Sequence, residues 1–282
     1  MNWVLAMRKN PNELQGKPLK VSASISADYS KAIKRLMRSM YKDTMIGIEA
    51  CFTTYAEDSL FPKNGSLVAQ LKILISRLLK KYEPVFMLLA KRETDKMLIR
   101  VDKNASATLK MSLKDVSKDL SVKTDLTSSR LREVTQASTQ EAVDLIKTIP
   151  TNYLSAVQKV VMHSISANGK GFAELKPFLT KLYKGNERKA ELVALDQTHK
   201  AYQNIQAEKM KKLGVKKFKW VHSGGGRVPR KLHQDLHGKI FSFDDPPYIG
   251  DMYGQKVYGL PGHLPNCRCT MSPVLEFEQN DD

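Results

Sequence analysis

Apolar side chains recur with helical spacing along most of the chain. Tyr29, Ile33, Leu36, Met37, Met40 and Tyr41 fall at i, i+4, i+7, i+8, i+11 and i+12, one face of an α-helix. Ser26 is the expected N-cap, and the pattern runs to about Glu57. A turn is predicted at 61–66, around Pro62 and Gly65. Leu67, Leu71, Leu74, Ile75, Leu78 and Leu79 then mark a second helix, which Pro84 should end or kink. The periodicity resumes at Val85 and continues to about Val122. Residues 91–125 are rich in Lys, Ser, Thr and Asp, the profile of an exposed helix rather than a core one.

Further helices are expected at 128–147 and from Pro150, the latter with Leu154, Val157, Val160, Val161 and Ile165 as its buried face. Asn168-Gly169-Lys170-Gly171 should close it. A short helix at 172–183, a turn at Gly185-Asn186 and a last helix at 187–213, stopped by Gly214, complete the series. Beyond Gly214 the pattern changes. Residues 215–222 alternate as a strand does, and Gly224-Gly225-Gly226 forms a turn. From there to Pro273, Gly, Pro, Asp and Tyr accumulate, which predicts short strands and ordered loops. The fold class expected is α+β: a mostly helical N-terminal part with long helices, then a small loop-rich α+β domain with short strands. The expected divisions are an arm or loop at 1–22, a basic helical region at 23–149, a C-terminal domain at 150–275 and a frayed acidic tail at 276–282.

Composition refines this picture. A chain of 282 residues, 41% hydrophobic and 27% charged, is ordinary for a globular protein, and 7% aromatic residues suits helices better than a β-sandwich. No stretch approaches the roughly 20 apolar residues of a membrane span. The apolar run before Arg8 is too short for a signal peptide, so synthesis in the cytoplasm is expected. Lys and Arg number 46 against 29 Asp and Glu, a net charge of +17; residues 1–186 hold 31 of the former and 17 of the latter. That excess points to an acidic partner, DNA, RNA or an acidic protein surface, unless it only solvates the helices.

Chemistry concentrates near the C-terminus. A loop-rich segment with little room for a core often needs a staple. Cys267, Cys269, His263 and His233 offer two thiolates and two imidazoles, a donor set for structural zinc. In an extended segment, Cys267 and Cys269 share one side and Arg268 points the other way. One residue between the cysteines is shorter than the usual zinc spacing, and a buried polar network with the thiols packed as small hydrophobes is the competing reading. A mutual disulfide is disfavoured by that spacing. Cys51, in an apolar helical stretch, reads as a buried core thiol.

The ordered set Trp220, Arg230 and His233, Gly238 and Phe241, Pro261-Gly262-His263, then Asn266-Cys267-Arg268-Cys269 before Pro273-Val274 resembles the phage Mu F-like head morphogenesis family. The resemblance extends upstream to the helix holding Asp196-Gln197-Thr198, and covers about 150–275. Pro229, between Val228 and Arg230, departs from the family pattern, as does the lack of an acidic residue in the Gly224-Gly225-Gly226 turn. The resemblance implies a non-enzymatic minor capsid protein, acting in head morphogenesis inside the virion near the portal after assembly in the host cytoplasm. Implied partners are the portal protein, scaffold or major capsid protein, and double-stranded DNA bound without sequence preference; no membrane is implied. The alternatives are a nucleic-acid-binding module, for which no base-reading motif is found, and a His/Cys-site nuclease or transferase. No carboxylate cluster supports the enzyme.

Overall fold

The computed structural model describes residues 13–57, 66–114, 116–117, 128–167, 171–224 and 228–276. The turn expected around Pro62 and Gly65, the helical stretch at 118–125, residues 168–170, Gly225-Gly226 and the tail at 277–282 lie outside them. Six helices are described: α1 (Ala23–Glu57), α2 (Leu67–Leu113), α3 (Ser129–Lys147), α4 (Ile149–Ser166), α5 (Phe172–Lys212) and α6 (Lys231–Asp235). The strands are β1 (Glu13–Gln15), β2 (Lys217–Val221), β3 (Ile240–Ser242), β4 (Tyr248–Met252), β5 (Gln255–Tyr258) and β6 (Thr270–Glu276). The α+β expectation holds. No helix among the described residues is long and apolar enough to cross a membrane.

The chain divides into two units, and α1, α2, α3 and α5 each contribute residues to both. The helical unit takes Ala27–Asp95 and Thr139–Ala194. Its core holds the predicted Ile33, Met37 and Met40 of α1, Leu71 and Ile75 of α2, and Leu154, Val157 and Val161 of α4, joined by Ile48, Phe86 and Leu179, while Val160 and Ile165 of the expected buried face are half-buried. Tyr41 stacks on Tyr183 with ring centres 4.3 Å apart, and Tyr29 shares a 2.6 Å hydrogen bond with Thr94.

The mixed unit takes Met1–Ser26, Lys96–Ser138 and Leu195–Asp282. Its four-stranded sheet runs β1-β6-β2-β3, every pair antiparallel, and β4 and β5 form a separate hairpin. β2 alternates: Phe218 and Trp220 are buried while Lys217, Lys219 and Val221 are half-buried, the signature of a one-sided sheet. β6 is buried along six of its seven residues, with β1 and β2 paired on either side of it.

Several expectations are corrected. Residues 13–19 are not a free arm. β1 pairs with β6, Leu19 is fully buried, and its main chain bonds Met271. α1 starts at Ala23, and Ser26 Oγ donates back to the Ala23 carbonyl instead of capping. Pro84 does not end α2. It sits exposed between buried Tyr82 and Phe86, whose packing outweighs the one missing backbone bond. The stretch after 91 is not merely an exposed helix, since Met97, Leu98, Val101, Ala105, Leu109 and Leu113 are core residues. Gly185-Asn186 is no turn. α5 runs through it, and Asn186 Nδ2 donates to the Leu182 carbonyl one turn back. Cys51 is a free thiol, half-buried rather than in the core.

Candidate metal centre

Three of the four predicted donors converge. The ligand atoms of His233, Cys267 and Cys269 lie within 4.8 Å of one another, and each residue is only 3% exposed. His233 Nδ1 is 3.4 Å from Cys267 Sγ and 3.7 Å from Cys269 Sγ. Tetrahedral zinc with bonds of about 2.0–2.3 Å requires ligand–ligand edges of roughly 3.4–3.8 Å. The two sulfur–nitrogen separations fit that requirement. The imidazole is also oriented for the task. Its Nε2–H donates to the Ile249 carbonyl at 2.9 Å, which leaves the Nδ1 lone pair facing the sulfurs. A metal-binding histidine commonly donates its other ring N–H in this way.

His263 is not in this group. Its Nε2 lies 2.7 Å from Asn204 Oδ1, and its Nδ1 accepts the Leu260 N–H.

Local sequence explains the placement. α6 is a single turn that presents His233 inward, and Arg230 before it donates to the Pro265 carbonyl at 2.9 Å. Trp220 on β2 is fully buried with its ring edge-on to His233, 5.3 Å between centres. Gly238 N–H returns to the Trp220 carbonyl, and Phe241 packs on Phe218 across the β2–β3 pair. Gly262 N–H points at Cys267 Sγ, 3.4 Å away. Asn266 adopts φ +59°, a left-handed conformation that Asn tolerates better than most residues.

Electrostatics are those of a coupled proton-sharing trio. The Cys269 thiol, His233 and the backbone N–H groups of Cys269 and Gly262 hold the Cys267 pKa well below that of an ordinary thiol, against the effect of burial. The neighbouring Cys267 sulfur, then burial, push the Cys269 thiol up. Burial opposes the charged form of His233, but the bonds to Cys267 and Ile249 outweigh it and raise its pKa. A metal bound here would have to displace the protons that Cys269 and His233 retain.

Sequence reasoning missed the supporting face of α5. Asp196, His199, Gln203 and Asn204 stand at i, i+3, i+7 and i+8 and meet the segment 263–270. Asp196 accepts the Asn266 N–H at 3.0–3.1 Å and the Arg268 guanidinium at 2.7 Å. His199 Nε2–H donates to the Cys269 carbonyl at 2.8 Å, and Gln203 Nε2 donates to Thr270 at 3.0 Å. Asp196 belongs to the quoted Asp-Gln-Thr motif, but its partners lie 70 and 72 residues further on.

The convergence agrees with what this chain is similar to. Residues 155–272 match the family described as Phage Mu protein F like protein. A relative from Haemophilus influenzae (strain ATCC 51907 / DSM 11121 / KW20 / Rd), described as an uncharacterized protein, is 28% identical over 262 residues. That alignment takes in 92% of this chain and 55% of the relative, so the chain spans about half the relative's length. No solved structure matches the chain.

Proposed function

We propose that the chain is a minor head protein of a tailed phage, a non-enzymatic morphogenesis component that works at the portal inside the capsid. The observation that carries this reading is the Mu F-like segment, in which the motif residues His233, Cys267 and Cys269 form one buried group contacted by Trp220 and Gly262. Zinc is the metal that suits two thiolates and an imidazole, and it would staple α6 to the loop after β5. The same burial argues against catalysis: donors only 3% exposed give a substrate no access. The basic residues of the first 186 positions, 31 against 17 acidic, suit sequence-independent contact with packaged DNA, with portal, scaffold or major capsid protein as protein partners.

The deciding experiment is recovery from phage particles. The chain is expected to co-purify with the portal protein, and heads assembled without it are expected to be non-infectious. Fully infectious particles lacking the chain would overturn the reading. DNA retention by the purified chain should be independent of sequence and fall steeply with salt. Elemental analysis should find one zinc per chain, and Cys267→Ser should abolish it.

A further inference from the structure

The two cysteine donors lie in a segment with no helix or strand of its own until Thr270. Something else must set the direction of each sulfur. The α5 face described above does this from outside the donor group. Asp196 grips the main chain at Asn266, immediately before Cys267, and through the Arg268 guanidinium it is linked to the Cys267 carbonyl, 3.1 Å from Nη1. His199 grips the carbonyl of Cys269 itself. One contact thus precedes the first donor and the other fixes the second. Neither side chain is among the donors. On this face His199 is 6% exposed and Gln203 is fully buried, while Asp196 is half-buried.

Resting on the metal reading above, we propose that Asp196 and His199 are positioning residues of the metal centre, holding the backbone on both sides of Arg268 so that the two sulfurs face His233 before a metal arrives. The left-handed Asn266 is consistent with this. A conformation that costs on the order of 1 kcal/mol persists only where neighbouring contacts hold it, and two of those contacts come from Asp196. Groups that orient metal-binding residues in this way typically change metal affinity about 10–100-fold when removed.

The test uses the full chain with Co(II) as the probe, read by its thiolate charge-transfer and ligand-field bands and by competition with a chromophoric chelator. Asp196→Ala and His199→Leu should each weaken cobalt binding about 10–100-fold and reduce the tetrahedral ligand-field intensity, with helical circular dichroism unchanged. His199→Gln, which keeps a donor for the Cys269 carbonyl, should restore affinity and spectrum towards wild type. If Asp196→Ala fails to fold, the contrast between His199→Leu and His199→Gln decides the matter. Wild-type affinity and spectrum in both Asp196→Ala and His199→Leu would overturn the positioning role and leave the metal reading standing. A wild-type chain without a thiolate band at stoichiometric cobalt overturns the metal reading itself and this role with it.

Discussion

Gly262 has φ +86°, and a side chain there would bring its Cβ within 2.8 Å of His199 Cδ2 and 3.1 Å of Gln203 Cγ. Both neighbours are buried, so neither can swing away. Gly262→Ala should therefore destabilise the chain by about 1–3 kcal/mol, from left-handed strain and the close contact together. Urea unfolding at neutral pH measures this, and an unchanged midpoint would contradict the packing described. The glycine of the Pro-Gly-His motif thus owes its place to α5, not to its own turn alone. At this scale, residue type carried the legible part of the site. Two cysteines and a histidine in a loop-rich segment suggest a metal wherever they fold. What could not be read was which histidine joins them. His233 and His263 are alike in sequence, but Asn204 takes one ring and the Ile249 carbonyl orients the other. Those partners are fixed by tertiary structure.

At the scale of elements, local signals succeeded where a real end exists and failed where packing overrides them. Pro150 does open α4, and Gly214 does follow the end of α5, because a missing N–H and a left-handed residue suit those positions. Gly185 looked like the same kind of signal. It is an exposed residue within α5, and apart from the adjoining residues and helix backbone no atom stands within 4 Å of where its Cβ would be. Gly185→Ala should then stabilise the chain by about 0.5–1 kcal/mol. A loss of stability, seen as a lower thermal midpoint, would mean that the helix breaks there after all. A second test concerns α1 and α2 within the helical unit. Lys81, then Tyr82, donate to Asp43 and hold its carboxyl below the ordinary 3.8. The unfolded carboxyl titrates at the ordinary value. The stability from this contact is therefore complete above pH 3.8 and is lost as pH falls through the lower folded value. Asp43→Asn should flatten that acid limb of the stability curve. An identical pH dependence in the variant would remove the contact from the account.

For the whole molecule, the two units cut across the division suggested by composition. Residue 150 looks like a boundary, because the motifs begin after it and the match spans 155–272. Yet the mixed unit that holds the His-Cys-Cys group also takes Met1–Ser26 and Lys96–Ser138. Those residues satisfy buried polar groups on α5. Tyr202 bonds Thr108 at 2.6 Å, Gln206 bonds the Ala105 carbonyl at 3.0 Å, and Lys209 reaches Ser106 and Asp102, each at 3.0 Å. Tyr202 and Gln206 are fully buried, and Lys209 is 2% exposed. Leu19 and β1 cover one side of β6 in the same way. A fragment of residues 150–275 would lose the Thr108, Ala105, Ser106 and Asp102 partners of these side chains, keeping only the Gln206–Tyr202 bond among them, at about 1–3 kcal/mol for each lost contact and more for the ammonium, and would bare the β6 edge. Against a typical stability of about 5–15 kcal/mol, that loss is decisive. The fragment should be aggregated or unfolded by circular dichroism and sedimentation, while the full chain unfolds cooperatively. A soluble, folded fragment that binds metal as the full chain does would show that α2 and the N-terminal strand are dispensable to the unit. Composition could not reveal this dependence, because Thr108 and Leu19 look ordinary until their distant partners are placed beside them.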